Sequence, residues 1–335
     1  MLVLSAQSLQ VMKKGLVIIM IINFLFAAIK AGTPLLFGTT GEIMTEKSGN
    51  LNLGVEGIMF MGAFMSFYVG FHTENLLLSL LAAFAIGVFA ALIYAFLTVT
   101  LMANQNVTGL TLTIFGTGFA KFFGENMIRE AGGSPKLSTQ FMSSISEKSI
   151  PVLGNIPVVG KLLFSHNPLV YLSVVIAVIC GYYMVKTRAG LKMRAVGENP
   201  AAADAAGVNV TLVKYIHILI GGGICALGGA YLSLINGGGI WNNSSVVNGQ
   251  GWISVALVIF ASWSPVKAIL GSLIFGAFSV LQFYVPKSVI VIPNAFYIML
   301  PFVITTLVLI ITSMQKSKKG SQPAGCGINY FREER

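Results

Sequence analysis

Thr187-Arg-Ala-Gly-Leu-Lys-Met-Arg-Ala-Val-Gly-Glu-Asn-Pro-Ala-Ala-Ala-Asp-Ala-Ala-Gly207 separates two apolar runs, 168–186 and 212–235, and its charge decides how the chain is threaded. Lys186, Arg188, Lys192, Arg194 and Lys214 lie in or beside it. Basic residues gather in the cytoplasmic loops of membrane proteins, so this loop is predicted to face inward. Lys13 and Lys14 before the first apolar run, and Lys316, Lys318 and Lys319 after the last, predict the same side for both termini. Such markers agree only when an even number of crossings separates them. A helix needs about 20 apolar residues to cross the hydrocarbon layer, and runs at 51–71, 76–102, 107–124, 267–285 and 295–314 join the two already named. The stretch 15–46 is too long for one crossing and is interrupted by Lys30, Gly32 and Pro34, so parity predicts two helices there. The stretch 252–263 is short, ends at Ser264-Pro265 and reads as a half-crossing. The expected fold class is therefore all-α: a polytopic transmembrane helix bundle of about ten spans, 8–10, with broken helices.

Composition agrees with that reading. Of 335 residues, 55% are hydrophobic and only 10% charged, where a soluble domain carries roughly a quarter charged. The net charge of +10 fits cytoplasmic loops beside anionic lipid better than nucleic acid, which is not expected as a partner. Residues 1–314 read as the transmembrane domain. Within it, 125–167 lacks the positive bias of an inner loop and is predicted extracytoplasmic, and 187–211 is the cytoplasmic loop. Residues 315–335, charged and containing Gly and Pro, are predicted to be a disordered cytoplasmic tail. Lys30 spoils the candidate signal-peptide cleavage region, so the first apolar run is expected to be retained. Cys180, Cys225 and Cys326 have no metal or redox spacing. No Gly-rich loop ends in Gly-Lys-Ser/Thr, so ATP is not bound here; no cofactor and no metal are expected.

Two polar, glycine-broken stretches interrupt the apolar pattern. The first, Glu42-Ile-Met-Thr-Glu-Lys-Ser-Gly-Asn-Leu-Asn-Leu-Gly-Val-Glu-Gly57, reads either as a solvated turn or as unwound backbone lining a cavity. Glu42 and Glu46 suit the turn; Asn52 and Glu56 suit the deeper position, where a carboxylate needs partners. The second, Asn242-Asn-Ser-Ser-Val-Val-Asn-Gly-Gln-Gly-Trp252, precedes the half-crossing. Their opposite predicted directions suggest an inverted repeat, which places a binding site near the midplane. Asn104-Gln-Asn-Val-Thr108 is a third polar group, either cap or pathway. Asn52, Glu56, Asn106, Thr108, Asn248 and Gln250 are the candidate substrate-pathway residues. In the loop that opened this section, Asn199 as N-cap and Pro200 at the first helical position predict a short helix, stopped at Gly207. Small residues on such a helix suit a groove on a partner.

This loop resembles the cytoplasmic coupling loop of ABC-transporter permeases of the branched-chain amino acid, ribose and nucleoside class. Thr187, Arg188, Gly190, Arg194, Ala195, Gly197, Asn199, Ala202, Ala203 and Gly207 fit that family's pattern. Glu46-Lys-Ser-Gly-Asn-Leu-Asn-Leu-Gly-Val-Glu-Gly57 is similar to the version in its nucleoside branch, with Lys47 where that branch has arginine. The resemblance implies a permease subunit of an importer in the bacterial cytoplasmic (inner) membrane, with no ATPase activity of its own. It implies a second permease chain, a cytoplasmic ATPase seated on Gly197, Glu198, Asn199, Pro200, Ala202 and Gly207, and an extracytoplasmic substrate-binding lipoprotein. Nucleosides are the expected substrate, with riboflavin or a sugar as alternatives in the same class. An ion-coupled secondary carrier is the reading from a different class. An intramembrane enzyme lacks a catalytic pair: His217 alone lies within a span, and His72 and His166 sit at edges.

Overall fold

The computed structural model describes residues 6–149, 151, 154, 156, 158–243, 246–284, 293–314 and 321–331. These are helical almost throughout, with one isolated bridge, Lys136 to Ile240, and no strand among the described residues. The helices are α1 (Ala6–Lys47), α2 (Val55–Thr73), α3 (Leu76–Ala95), α4 (Gln105–Glu130), α5 (Thr139–Ser144), α6 (Val159–Phe164), α7 (Pro168–Lys186), α8 (Arg188–Glu198), α9 (Pro200–Ala205), α10 (Val210–Tyr231), α11 (Gln250–Phe260), α12 (Pro265–Tyr284) and α13 (Asn294–Met314). Asparagine starts many of them. The side chains of Asn75, Asn104, Asn167, Asn199 and Asn209 each accept a backbone N–H of the first turn, satisfying donors that a helix start otherwise leaves unpaired. Asn104 is thus a cap.

The bundle has two distinct ends. At one, the Lys47 end of α1, the 101–104 connection, α8, α9 and residues 321–331 come together: the Gly325 N–H donates to the Gly197 carbonyl (2.9 Å), and Asn329 donates to the Met102 carbonyl (2.6 Å). We call this the coupling end, after the loop that carries the family resemblance, and the opposite one the outer end. At the outer end, Leu137 and Trp241 donate to the carbonyls of Gly239 (2.8 Å) and Pro135 (3.0 Å). There Lys30 meets Glu147 at 2.5 Å and Lys161 donates to Asn23 at 2.7 Å.

Six helices are long and apolar enough to cross a membrane: Val17–Lys47, Val55–Thr73, Leu76–Thr100, Pro168–Lys186, Val210–Asn236 and Pro265–Tyr284. Gln250–Phe260 and Ala295–Leu307 are shorter apolar helices. The 26 residues of α4 have the length but include Lys121, Glu125, Arg129 and Glu130. Burial separates centre from rim: 83% of the most apolar stretch of α10 and 72% of that of α2 are buried, against 28% for α3 and α12. Leu81, Ile114, Ile179 and Leu270 on the rim are exposed, the surface a lipid solvent accepts. In the centre, glycine lets helices touch backbone to backbone. A Cβ at Gly229 would strike the Met59 carbonyl, and one at Gly41 would strike Gly221.

Three expectations need correction. Residues 15–46 form part of one continuous helix rather than two crossings. Pro34 costs one helical hydrogen bond, but α1 is held on both sides. Gly228 of α10 packs over the Pro34 carbonyl, and Gly32 packs against Ser272 of α12. Packing outweighs the local break. One helix in place of two also removes the parity that put the N-terminus on the same side as the coupling loop, and with it the tenth crossing. Second, α4 continues through Glu130, so the long outer connection begins near 131 rather than 125; it holds α5 and α6. Third, the tail expected to be disordered is packed over residues 321–331, where Cys326, half-buried, touches the coupling end. Residues 315–320 and 332–335 lie outside the described residues.

Candidate transport pathway and coupling face

The first polar stretch folds into the interior, whereas the second leaves Asn242 and Asn248 exposed and only partly buries Gln250. Glu42 and Glu46, which the sequence assigns to a turn, sit on the last turns of α1 and are 0% and 2% exposed. Glu42 Oε1 accepts the Asn52 N–H at 2.9 Å, and Glu46 accepts the Trp263 indole N–H. The chain then turns back at Ser48–Gly49, and Asn52 Oδ1 accepts the Gly54 N–H (2.8 Å), tightening the entry to α2. Gly54 and Gly57 lie against Leu112 of α4, seven residues and so about 10 Å beyond the start of that helix. Helix α2 therefore begins well inside the bundle.

Helix α11 begins inside as well, pointing the other way. Its first residues follow 237–243 and 246–249, which are not helical, and it runs beside α1 to the coupling end, where Ser254 lies on Gly38 and Trp263 on Glu46. Glu56 joins the two starts. Its carboxylate oxygens accept the N–H groups of Gly249 (2.8 Å) and Gly251 (2.7 Å). A carboxylate from α2 thus caps the N-terminus of α11, where unpaired donors and the positive end of the helix dipole favour an anion. That arrangement explains why an acid is tolerated at this depth.

Beside this junction lies a cavity of about 400 Å³, lined by Ser233, Asn236, Asn242, Asn248 and Gln250 together with the backbone of Gly237. Its polar lining consists of amides, a hydroxyl and backbone, with no charged side chain. Ser233 and Asn236 belong to a π turn, Leu232–Asn236, that ends α10, the kind of local widening that often accompanies function. Asn236 also lines a larger cavity, about 770 Å³, at the outer end. That one contains Lys30, Glu147 and Lys161, so the two polar pairs at the outer end border its mouth. The Gln250 Oε1 is buried and has no hydrogen-bond partner.

At the coupling face, Asn199 Oδ1 accepts the Ala202 N–H (2.9 Å), Pro200 opens α9, and Gly207, with φ +78°, closes the turn that follows. The short helix is where the sequence puts it, but a second helix, α8, precedes it. Glu198, Asn199, Ala202 and Gly207 are exposed and Pro200 partly so; Gly197 is buried. A Cβ at Gly197 would run into the Lys47 carbonyl. Gly197 is the joint between the coupling helices and α1, not part of the exposed surface. Burial beneath this face pushes the Cys326 thiol up to about 12, so it stays protonated. At the outer end, burial lowers the pKa of His166, which stacks on Phe26.

Of the expected pathway residues, Glu56, Asn248 and Gln250 come together, although only the last two line the cavity, and Asn52 bonds to Glu42 and Gly54 instead. Asn106 is exposed on the first turn of α4. Thr108 lines a separate, apolar cleft with Tyr94 and Phe115 and donates to its own helix. Gln105 is the buried member of that group: its Oε1 accepts the Leu51 N–H at 2.8 Å. Sequence reasoning also missed Ser233, Asn236 and Asn242. The run Asn236-Gly-Gly-Gly239, where α10 gives out, is the signal that marks them. His217, bonded to Tyr183 (2.9 Å) and the Val213 carbonyl (2.6 Å), packs α7 to α10.

The family model for the permease component of branched-chain amino acid transport systems matches residues 10–313. The chain belongs to this permease family. It is 34% identical over 313 residues to NupC, named a nucleoside ABC transporter permease, of Lactococcus lactis, covering 90% of this chain and 94% of that protein. It is 34% identical over 299 residues to NupQ, named a guanosine ABC transporter permease, of Bacillus subtilis, covering 84% and 89%. It is 35% identical over 264 residues to TsgC13, a candidate glucose ABC transporter permease, of Haloferax volcanii, covering 78% and 77%. No solved structure matches the chain.

Proposed function

We propose that this chain is the membrane-spanning subunit of an ABC importer for nucleosides. The transport role follows from the family, whose members work with a separate ATPase and a substrate-binding protein. What favours nucleosides is the open cavity of about 400 Å³, polar and, among the described residues, free of charged side chains. A neutral sugar–base conjugate needs donors and acceptors on several sides, and a ring of amides supplies both. An amino acid zwitterion would need charged partners that this lining lacks. The naming of NupC and NupQ supports the same choice. Glucose, named for TsgC13, would use the same chemistry and is the second reading; riboflavin is a third.

In this reading the coupling end, with α8 and α9, faces the cytoplasm in the bacterial inner membrane. Residues 131–167 then lie outside, toward a substrate-binding lipoprotein. Glu198, Asn199, Pro200, Ala202 and Gly207 form the ATPase contact, with Gly197 behind them. A second permease chain completes the pathway. Asn248 and Gln250 are the inferred substrate contacts, and Asn52 and Glu56 hold the backbone that presents them.

The test is uptake of labelled guanosine by cells expressing the whole transporter, challenged with unlabelled nucleosides, glucose and riboflavin. Nucleosides should compete and the others should not. Competition by glucose alone would move the assignment to sugars. Uptake that survives loss of the ATPase, and collapses with a protonophore while ATP is held, would replace an ABC importer with an ion-coupled carrier.

A further inference from the structure

Residues 321–331 make a chain of polar contacts that nothing in their composition announces. Tyr330 Oη donates to Asp204 of α9 at 2.7 Å. The Gly325 N–H donates to the Gly197 carbonyl (2.9 Å), and the Ala324 N–H to the Glu198 carboxylate (3.2 Å). The segment is therefore tied to α8 near its start, through Ala324 and Gly325, and to α9 near its end, through Tyr330. Asn329, beside Tyr330, is tied to the core. Asn329 Nδ2 donates to the carbonyls of Met102 (2.6 Å) and Ala103 (3.3 Å), and Asn329 Oδ1 accepts from Gln105 Nε2 (3.1 Å). The same Gln105 side chain accepts the Leu51 N–H through its Oε1. Leu51 directly precedes Asn52, whose N–H is held by Glu42. Four residues further on, Glu56 caps α11 at the edge of the cavity.

We infer that residues 321–331 are a clasp that carries movement of the coupling helices into the broken segment 50–56, with Asn329 and Gln105 as positioning residues. The inference rests on the reading of α8 and α9 as the ATPase contact. Two features favour transmission over simple covering. The Gly325–Gly197 bond joins main chain to main chain and Asn329 reaches the main chain of Met102 and Ala103, so displacing α8 pulls on backbone, while α9 follows through the side-chain pair Tyr330–Asp204. And Gln105 uses its two polar atoms on two different elements, which couples them through one planar amide. Besides the clasp, the coupling helices rest on α1 through Gly197, whose backbone lies on Lys47 and Gly49, and on α10 through Val196, Ala203 and Val210.

The experiment uses the complete transporter reconstituted in liposomes, as wild type, Asn329→Ala, Tyr330→Phe and a form lacking residues 321–335. Two quantities are read: substrate moved per ATP hydrolysed, and the change in backbone hydrogen exchange over 50–56 on trapping the ATPase with ATP and vanadate. For Asn329→Ala the expected result is unchanged basal ATP hydrolysis, transport per ATP lowered about five- to tenfold, and loss of the exchange change at 50–56. Tyr330→Phe should give a smaller effect in the same direction. Unchanged transport per ATP and an undiminished exchange response in Asn329→Ala would overturn the proposal, as would increased uptake in the truncated form, which would make the segment a brake. The exchange measurement needs no substrate, so it stands even if the transported compound is not a nucleoside. A wild-type complex whose ATPase does not engage α8 and α9 would instead overturn the reading on which the clasp rests.

Discussion

The outer and coupling ends of the bundle are held together by different means. At the outer end the ties between α1 and the 131–167 connection are side chain to side chain: Lys30 to Glu147, with 33% and 44% of these side chains exposed, and Lys161 to Asn23. At the coupling end, the ties to α1 and to the turn that follows it run to main chain, between Gly197 and Lys47 and between Gln105 and Leu51, beside the side-chain pair Tyr330–Asp204. Exposed ion pairs contribute about 0–1 kcal/mol, so the outer mouth can open at small cost. Buried close-packed backbone does not deform by degrees; it shifts as a body. The comparison suggests one end built to part and another built to transmit.

The strongest challenge to that contrast is Gly197→Asp. A side chain there would overlap the Lys47 carbonyl, an overpacking that costs about 1–3 kcal/mol or more. Uptake should fall at least about tenfold while ATP hydrolysis by the complex continues; intact uptake would show that the joint is not tight. Next comes Glu56→Ala, which leaves two interior N–H groups without an acceptor, at about 1–3 kcal/mol each. Lower thermal stability of the purified transporter should accompany the lost uptake, and Glu56→Gln should recover part of both.

Gln250→Leu addresses the cavity itself. If substrate binds there, removing an amide that lines the cavity should raise the apparent KM about 5- to 30-fold, on the scale of about 1–2 kcal/mol for one hydrogen bond, with expression unchanged. An unaltered KM would remove Gln250 from the pathway. Smallest of all is Lys30→Met. If the outer end is a loosely tied mouth, uptake changes less than about threefold and stability by no more than about 1 kcal/mol. A large loss would show that the outer end, too, is rigid.

Much of this was readable from residue types in order. Asn199-Pro200 located the short helix α9, because capping is a local interaction that sequence records directly. Glycine-broken polar stretches marked where α2 and α11 begin. What escaped depended on distant partners. Pro34 looks like a break until α10 and α12 are packed on α1. Glu42 and Glu46 look like turn residues because Trp263, which receives one of them, lies more than two hundred residues away. Asn106 and Gln105 differ by one position, about 100° around a helix, and only the packed bundle selects Gln105 as the inward one. The tail reads as disordered because its Gly and Pro content hides contacts whose partners lie more than a hundred residues away, made by the main chain of Ala324 and Gly325 and the side chains of Asn329 and Tyr330.

The cavity beside Glu56 takes much of its lining from Gly237, Ile240, Asn242, Val246 and Asn248, which are not helical, while the helices around it meet through glycine. Frame and lining are thus separate parts of the sequence. A change at Asn242 or Asn248 alters which groups meet a solute without disturbing any helix crossing. Relatives whose names specify guanosine or glucose illustrate the consequence: in such an architecture, substrate preference can drift over evolutionary time while the scaffold is inherited intact.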